Sequence, residues 1–335
     1  MDKIKIGIIG AGYIAGVHAS VLARDERVGI TSVYDVDDAR AEQLARTTGA
    51  QVAPSSDDLI AACDAVYITT PNTQHTGLAV AAARAGKHVF CEKPMATNLD
   101  DAQTVLDAAR AGSDSGDAKV FQVGHNRRFA PVYQKLKELI SEEQGRPHSA
   151  HLKMNRGELI NPVWVGDAAI TGGFLYETTI HMFDMMRFLF GEVAELYAVG
   201  STHEYPETDD FSVVVRFRNG MHATLCSSSD ASWLFPFERV EVFAHHATYV
   251  TREMESISQS TGIEGHHVTH SMQQLSREEK WGYLQEDRAF LDSILAGTKA
   301  SVTALDGYKS VELVDACYRS VQSGEHITFS IESSE

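Results

Sequence analysis

Three sets of residues in this chain have types and spacings suited to chemistry. The first is Lys93, the amine of a Glu92-Lys93-Pro94 run. A partly desolvated ammonium has a lowered pKa and can hold a substrate hydroxyl. It would also stabilise the alkoxide that forms as hydride leaves. The second set is Glu177 and His181, four apart, with Asp184 three further on. That spacing puts them on one face of a helix. His181 can accept a proton near neutral pH, and Glu177 can orient it or hold a hydroxyl. Gly172-Gly173 just before them gives the backbone freedom to bring the helix start near a ligand. The plainer readings are a lysine in a surface turn and a structural Glu–His pair.

The third set is Gly10-Ala11-Gly12-Tyr13-Ile14-Ala15, which follows an apolar run and opens a helical one. Gly10 permits a tight turn, Gly12 lets a pyrophosphate approach the backbone, and Ala15 lets the helix pack close to a sheet. The helix start, at Tyr13 and Ile14, offers N–H groups to phosphate. Asp35 stands twenty-five residues after Gly10, where a carboxylate can accept hydrogen bonds from ribose hydroxyls. It would also repel a 2′-phosphate, by about 4 kcal/mol per unit charge at ~4 Å and an effective dielectric of about 20. The pattern therefore favours NAD over NADP, with Arg40 the only nearby residue arguing otherwise. The alternative for Asp35 is a helix-capping turn residue.

These residues need elements to position them. The first 125 residues read as alternating strands and helices: Lys3–Ile9, Tyr13–Arg24, Val28–Tyr34, Asp37–Thr48, a short helix capped by Ser55 or Ser56, Ala65–Thr69, Thr73–Ala85, Lys87–Cys91, Asn98–Ala111 and Lys119–Val123. This alternation predicts a parallel sheet covered on both faces. The strand ends read Gly10-Ala11-Gly12, Asp35, Thr70-Pro71-Asn72, Glu92-Lys93-Pro94 and His125-Asn126-Arg127. Every end carries polar, Gly or Pro residues, and ligands bind beyond such ends. Residues 126–335 read differently: helices at Phe129–Glu143 and Phe174–Phe190, then strands Glu195–Gly200, Phe211–Phe217, Met221–Ser227 and Arg239–Ala244. Asn219-Gly220 signals a hairpin, so an open, largely antiparallel sheet is expected. Thr248–Gln274 is polar and predicted to form loops or a ragged hairpin. Helices Tyr283–Ala296 and Leu305–Ser323 follow. The fold class is α/β, with a dinucleotide domain over 1–125 and a substrate-binding and oligomerisation domain over 126–335.

Composition sets bounds. Of 335 residues, 46 are Asp or Glu and 29 are Lys or Arg, a formal net charge of -17 that argues against nucleic acid as a partner. No stretch of eighteen apolar residues spans a membrane, and the strand-like start by Lys3 leaves no leader pattern, so a cytoplasmic location is expected. Cys63, Cys91, Cys226 and Cys317 form no CxxC pair and read as reduced thiols. His266, His267 and His270 could suggest zinc with Glu264, but a solvated polar segment is the favoured reading and no metal is expected. Arg127-Arg128 could bind an anion; salt bridging is favoured.

Gly10-Ala11-Gly12, Thr70-Pro71-Asn72, Glu92-Lys93-Pro94 and the Gly172…His181…Asp184 block, in that order, resemble the Gfo/Idh/MocA oxidoreductases, which include inositol dehydrogenase and glucose–fructose oxidoreductase. The resemblance spans nearly the whole chain. It implies a Rossmann domain and an α/β domain whose open sheet serves as an oligomer interface, giving a dimer or tetramer. It implies catalysis by Lys93, Glu177 and His181, with the lysine holding the reacting hydroxyl and the histidine as acid/base. It implies NAD contacts from Gly10, Gly12, Tyr13, Ile14, Asp35, Thr70, Pro71, Asn72, His75, Glu92 and Lys93. It implies contacts to a sugar or polyol from Asn126, the Asn155-Arg156 region, Trp164 and Tyr283, the last two also readable as core. A cis peptide before Pro94 follows from the same likeness. The family usually has aspartate at the position of Glu177, so that side chain, one methylene longer, could reach substrate rather than steer His181.

The expected reaction is hydride transfer between NAD and a hydroxyl carbon, with Lys93 and His181 at the same carbon. Two other functions fit the fold: glycoside cleavage through transient oxidation with tightly held NAD, and a non-catalytic NAD-binding sensor. Net NADH release separates the first two, and retention of both Lys93 and His181 argues against the sensor.

Overall fold

The computed structural model describes residues 3–113, 118–142, 146–155, 163–232 and 236–330. The chain divides into two compact units. The first comprises Met1–Asn126, Ala169–Gly172 and Gly282–Val311, and the second Arg127–Ala168, Gly173–Trp281 and Glu312–Glu335.

In the first unit the strands are β1 (Ile4–Ile9), β2 (Val28–Tyr34), β3 (Gln51–Val52), β4 (Ala65–Ile68), β5 (His88–Glu92) and β6 (Phe121–Gly124). They pair in parallel in the order β3-β2-β1-β4-β5-β6. That is the doubly wound dinucleotide order, whose ligand crevice lies where the order reverses, at β1/β4. The helices are α1 (Tyr13–Leu22), α2 (Asp38–Thr48), α3 (Ser56–Ala62), α4 (His75–Arg84) and α5 (Leu99–Ser113). Caps explain several boundaries. Asp37 accepts from the N–H groups of Ala39 and Arg40 at the start of α2, and Gly49 ends that helix at φ 75°. Ser55 accepts from Asp58 N–H at the start of α3. Both faces of the sheet are covered, so β4 is buried at every residue. The core joins Ile6, Ile8, Val33, Tyr67 and Phe90 to Phe290 and Leu291, which return from far along the chain on α10 (Tyr283–Ala296).

The second unit holds α6 (Pro131–Ser141), a π turn at Leu175–Thr179 that leads into α8 (Ile180–Phe190), α9 (Arg277–Lys280) and part of α11 (Ala304–Ser323), whereas α7 (Ala168–Thr171) belongs to the first unit but for Ala168. Its nine strands are β7 (Pro147–Asn155), β8 (Val193–Ser201), β9 (Asp210–Phe217), β10 (His222–Ser228), β11 (Glu238–Ala244), β12 (Ala247–Arg252), β13 (Ser256–Thr261), β14 (His266–Ser271) and β15 (Ile327–Thr328). Their order is β14-β13-β12-β11-β7-β10-β9-β8-β15. The sheet is antiparallel except for the central β7/β10 pair. Along β9, Phe211, Val213, Val215 and Phe217 point inward and the residues between them outward, the alternation of a sheet with one covered face.

Two expectations change. The polar stretch 248–274 forms three paired strands, not loops, because backbone ladders from β11 through β14 order it without an apolar alternation. The Phe174–Phe190 helix begins with a π turn, so the α-helical spacing assumed for Glu177 and His181 does not hold through Glu177.

Candidate functional site

The nucleotide half of the site is built on the strand ends of the first unit. Gly10 sits at φ +90°, and a Cβ there would lie 2.7 Å from the Thr69 carbonyl, so only glycine fits. Gly12 is different: an added Cβ would meet no protein atom within 4 Å. The protein's own packing does not require glycine there, and the open space admits a ligand against the backbone. Helix α1 starts at Gly12 with no capping side chain and no acidic residue in its first turn. The N–H groups of its first turn and its positive end suit a pyrophosphate, so the residues present fit a dinucleotide. Tyr13 is 67% exposed beside this turn, with Ile14 half-buried behind it. Asp35 ends up half-buried at the same place. Its Oδ2 accepts from Ala11 N–H at 2.6 Å and its Oδ1 from Asp37 N–H at 2.8 Å. The carboxylate is thereby locked to the glycine turn.

The next strand ends are tied to each other. The His75 ring lies between the Thr70 carbonyl (2.8 Å) and the Pro94 carbonyl (2.7 Å), and burial holds its pKa below the usual value. His75 is a strut joining two loops. Asn72 is buried and donates to the Thr171 carbonyl at 3.0 Å. The Lys93-Pro94 peptide is cis. Lys93 is half-buried, and its backbone N–H donates to Glu92 Oε2 at 3.1 Å. Asn126 is buried directly after β6. Tyr283, a predicted substrate contact, opens α10 and faces the His18 ring edge-on at 5.8 Å.

Sequence reasoning missed His18 itself. It is fully buried, with Nδ1 2.8 Å from Asp287 Oδ1 and Nε2 3.1 Å from Glu92 Oε1. A histidine on the apolar face of α1 was the available signal. Among the described residues, His18, Glu92 and Glu286 have ligand atoms within 4.8 Å of one another, a spacing that could hold a cation. Both His18 nitrogens already face carboxylate oxygens, so the ring acts as donor and offers no lone pair to a metal.

The second unit carries the acid/base candidates. Arg127 Nη1 lies 3.0 Å from His181 Nε2, and Arg127 Nη2 donates to Glu238 Oε2 at 3.1 Å. Tyr133 donates to the other Glu238 oxygen at 2.6 Å, and Trp281 stacks 4.9 Å from the guanidinium. Arginine has no acceptor, so Nε2 accepts and the ring proton sits on Nδ1. Arg128 pairs with both oxygens of Asp184 at 2.8 and 2.7 Å. The Arg127-Arg128 pair is thus held by salt bridges. Glu177 lies in the π turn, half-buried, its N–H donating to the Gly173 carbonyl at 3.0 Å. Gly173 is fixed by φ +110° and by the Tyr318 hydroxyl, 2.7 Å from where its Cβ would be. The left-handed backbone and this packing together call for glycine at 173. Asn155 ends β7 and Trp164 is half-buried in a 3-10 turn, Val163–Gly166. Arg156 lies outside the described residues. His266, His267 and His270 lie on strand β14, with His267 Nδ1 2.9 Å from Ser260 Oγ.

No helix among the described residues is long and apolar enough to cross a membrane. Comparison with known proteins matches residues 4–125 to the oxidoreductase family with an NAD-binding Rossmann fold, and residues 137–329 to that family's C-terminal alpha/beta domain. The inositol 2-dehydrogenase of Rhizobium meliloti is 30% identical over 97% of this chain and 99% of its own length. The myo-inositol 2-dehydrogenase of Thermotoga maritima is 28% identical over 95% of this chain and 96% of its own. A levoglucosan dehydrogenase solved with NADH and levoglucosan superposes at a TM-score of 0.89 over 98% of this chain and 99% of its own, but at 22% identity it speaks for the fold alone. With a glycine turn open to a dinucleotide, a lysine at the end of β5 and family matches over both parts of the sequence, the chain belongs to the Gfo/Idh/MocA family of NAD-dependent oxidoreductases.

Proposed function

We propose that this enzyme oxidises a hydroxyl carbon of a polyol or sugar, with an inositol as the substrate class. The observation that carries this reading is the setting of Lys93: half-buried, bonded through its backbone to Glu92, at a strand end of the unit that holds the open glycine turn. The relatives named as inositol 2-dehydrogenases support the substrate class.

Bound NAD supplies the hydride acceptor. Gly10, Gly12, Tyr13, Ile14 and Asp35 hold the adenine-ribose and pyrophosphate side. Thr70, Pro71, Asn72, Glu92 and Lys93 line the nicotinamide side, with His75 bracing Thr70. Lys93 holds the reacting hydroxyl and stabilises the alkoxide. His181 takes the hydroxyl proton at Nε2, the nitrogen that otherwise accepts from Arg127, so the hydroxyl displaces the guanidinium there. Glu177, Asn126, Asn155, Trp164 and Tyr283 contact the remaining hydroxyls and the ring face.

Segment 1–125 carries the cofactor, and 126–335 supplies the substrate side and the oligomer face. Val199, Val214, Phe243 and Val268, all on strands of the nine-stranded sheet, are 39–52% exposed, which supports a homo-oligomer through that sheet. A cytoplasmic location is part of this proposal. A panel of inositols and sugars assayed for NADH absorbance tests the proposal. Net NADH formation with an inositol is expected; a glycoside cleaved without NADH release would replace the reading.

A further inference from the structure

In the buried trio His18, Glu92 and Asp287, neither His18 nor Asp287 has a role in the reaction as described. The trio draws on three elements of the nucleotide unit: α1, which follows the glycine turn; β5, which ends at Glu92; and α10. The side chains of His18 and Asp287 are fully buried and that of Glu92 is 8% exposed. An ionised carboxylate only accepts, so an imidazole between two of them donates from both nitrogens and carries a proton on each. Burial alone would lower the His18 pKa. The Asp287 carboxylate first, and Glu92 after it, outweigh burial and raise it well above the ordinary value. The other groups facing the ring are Tyr67 from β4, Phe90 from β5, and Tyr283 and Glu286 from α10. None is a cation; the basic residues adjacent in sequence to the trio are Lys93, beside Glu92, and Arg288, beside Asp287.

Glu92 has its two oxygens committed to different jobs. Oε1 faces His18, and Oε2 accepts the backbone N–H of Lys93. On the other side, a Cβ added to Gly124 would lie 3.0 Å from the Glu92 carboxyl carbon, so glycine at 124 is what lets the carboxylate pack against β6. We propose that His18 is a positioning residue for Lys93: it clamps Glu92, and through Glu92 it fixes the backbone of the catalytic lysine to the helix that follows the glycine turn. This rests on the reading of Lys93 as the group that holds the substrate hydroxyl.

Wild type, His18→Gln and Lys93→Ala are compared as full chains. Ring-nitrogen NMR on the wild type, with His18 assigned by its loss in the variant, should show a ring protonated on both nitrogens at pH 7, above the ordinary histidine pKa of about 6.5. Hydrogen exchange over residues 88–96 should speed up about tenfold in His18→Gln, the loss of one charge-assisted amide bond, while α2 and α5 exchange as before. With myo-inositol and NAD, kcat should fall about tenfold or more while KM for NAD stays within about threefold. A neutral His18 at pH 7, or unchanged exchange over 88–96, overturns the proposal. If His18→Gln does not fold, Asp287→Asn takes its place in the exchange arm, and the wild-type NMR arm stands regardless. Lys93→Ala separates the two claims: full turnover in that variant removes the lysine from the chemistry, while loss there with intact kcat in His18→Gln removes only the clamp.

Discussion

Arg127 donates from Nη1 to Nε2 of His181 across 3.0 Å, and both residues are about 5% exposed. A guanidinium is charged at all working pH values and cannot accept, so it specifies the neutral imidazole with its proton on Nδ1. It also penalises the imidazolium that would form when His181 takes a proton. Glu238, held by Tyr133, keeps the guanidinium in place. A positive charge beside the proposed base sets the pH range over which that base would work.

The first prediction concerns that charge. Arg127→Gln should move the low-pH limb of kcat/KM upward, because in the free enzyme an imidazole freed of a neighbouring cation protonates more readily. The pH–rate profile checks it. The same variant leaves Glu238 without its cation and should cost about 3–5 kcal/mol of stability, read by denaturant unfolding. A limb that does not move would separate Arg127 from the proton chemistry.

Lys93→Ala should lower kcat by roughly 10²-fold or more through lost alkoxide stabilisation. NAD affinity, followed by nucleotide titration, should change little, because the glycine turn and Asp35 are untouched. Wild-type turnover in this variant would take the lysine out of the mechanism.

Asp35→Ser should relax the preference for NAD over NADP, since the carboxylate that repels a 2′-phosphate is gone. It should also loosen the glycine turn, because Ala11 N–H loses its acceptor. The ratio of kcat/KM for the two cofactors is the measurement. Rejection of NADP at the wild-type level would show that another group makes the selection.

Stability should depend on pH through the buried trio. The folded pKa of His18 is raised, so its contribution is complete below about 6.5 and is lost as pH rises through the folded value. Asp287, raised chiefly by burial, acts in the same direction. Glu92 is opposed by burial, but its bond to His18 and the charges of His18 and Lys93 hold it below 4.5, so its contribution is complete above that value and is lost as pH falls through the folded one. The stability difference between wild type and His18→Gln should therefore be largest between about pH 4.5 and 6.5 and shrink on the alkaline side. Urea melts across pH check this, and a difference independent of pH would contradict it.

Much of the nucleotide unit was legible in the sequence because its signals are local. Val28–Tyr34 and Tyr283–Ala296 form as read, Ser55 caps as read, and the glycine turn sits between a strand and a helix. What stayed hidden depends on partners far along the chain. Asp287 meets His18 across 269 residues, and Glu238 meets Arg127 across 111, so no window of sequence reveals either. Strand β7 carries only Ala150, Leu152 and Met154 as its apolar face, too short a pattern to stand out, yet it sits at the centre of the nine-stranded sheet. The π turn at Leu175–Thr179 follows Gly173 and the Tyr318 hydroxyl, which lies 143 residues from the Leu175 N–H that it accepts.

The most direct test is a crystal structure of the chain with NAD and myo-inositol. The account predicts one inositol hydroxyl oxygen within hydrogen-bond reach of both Lys93 Nζ and His181 Nε2, with Arg127 moved off that nitrogen. Lys93 and His181 contacting different groups, or Arg127 still seated on Nε2 with the polyol in place, would contradict it.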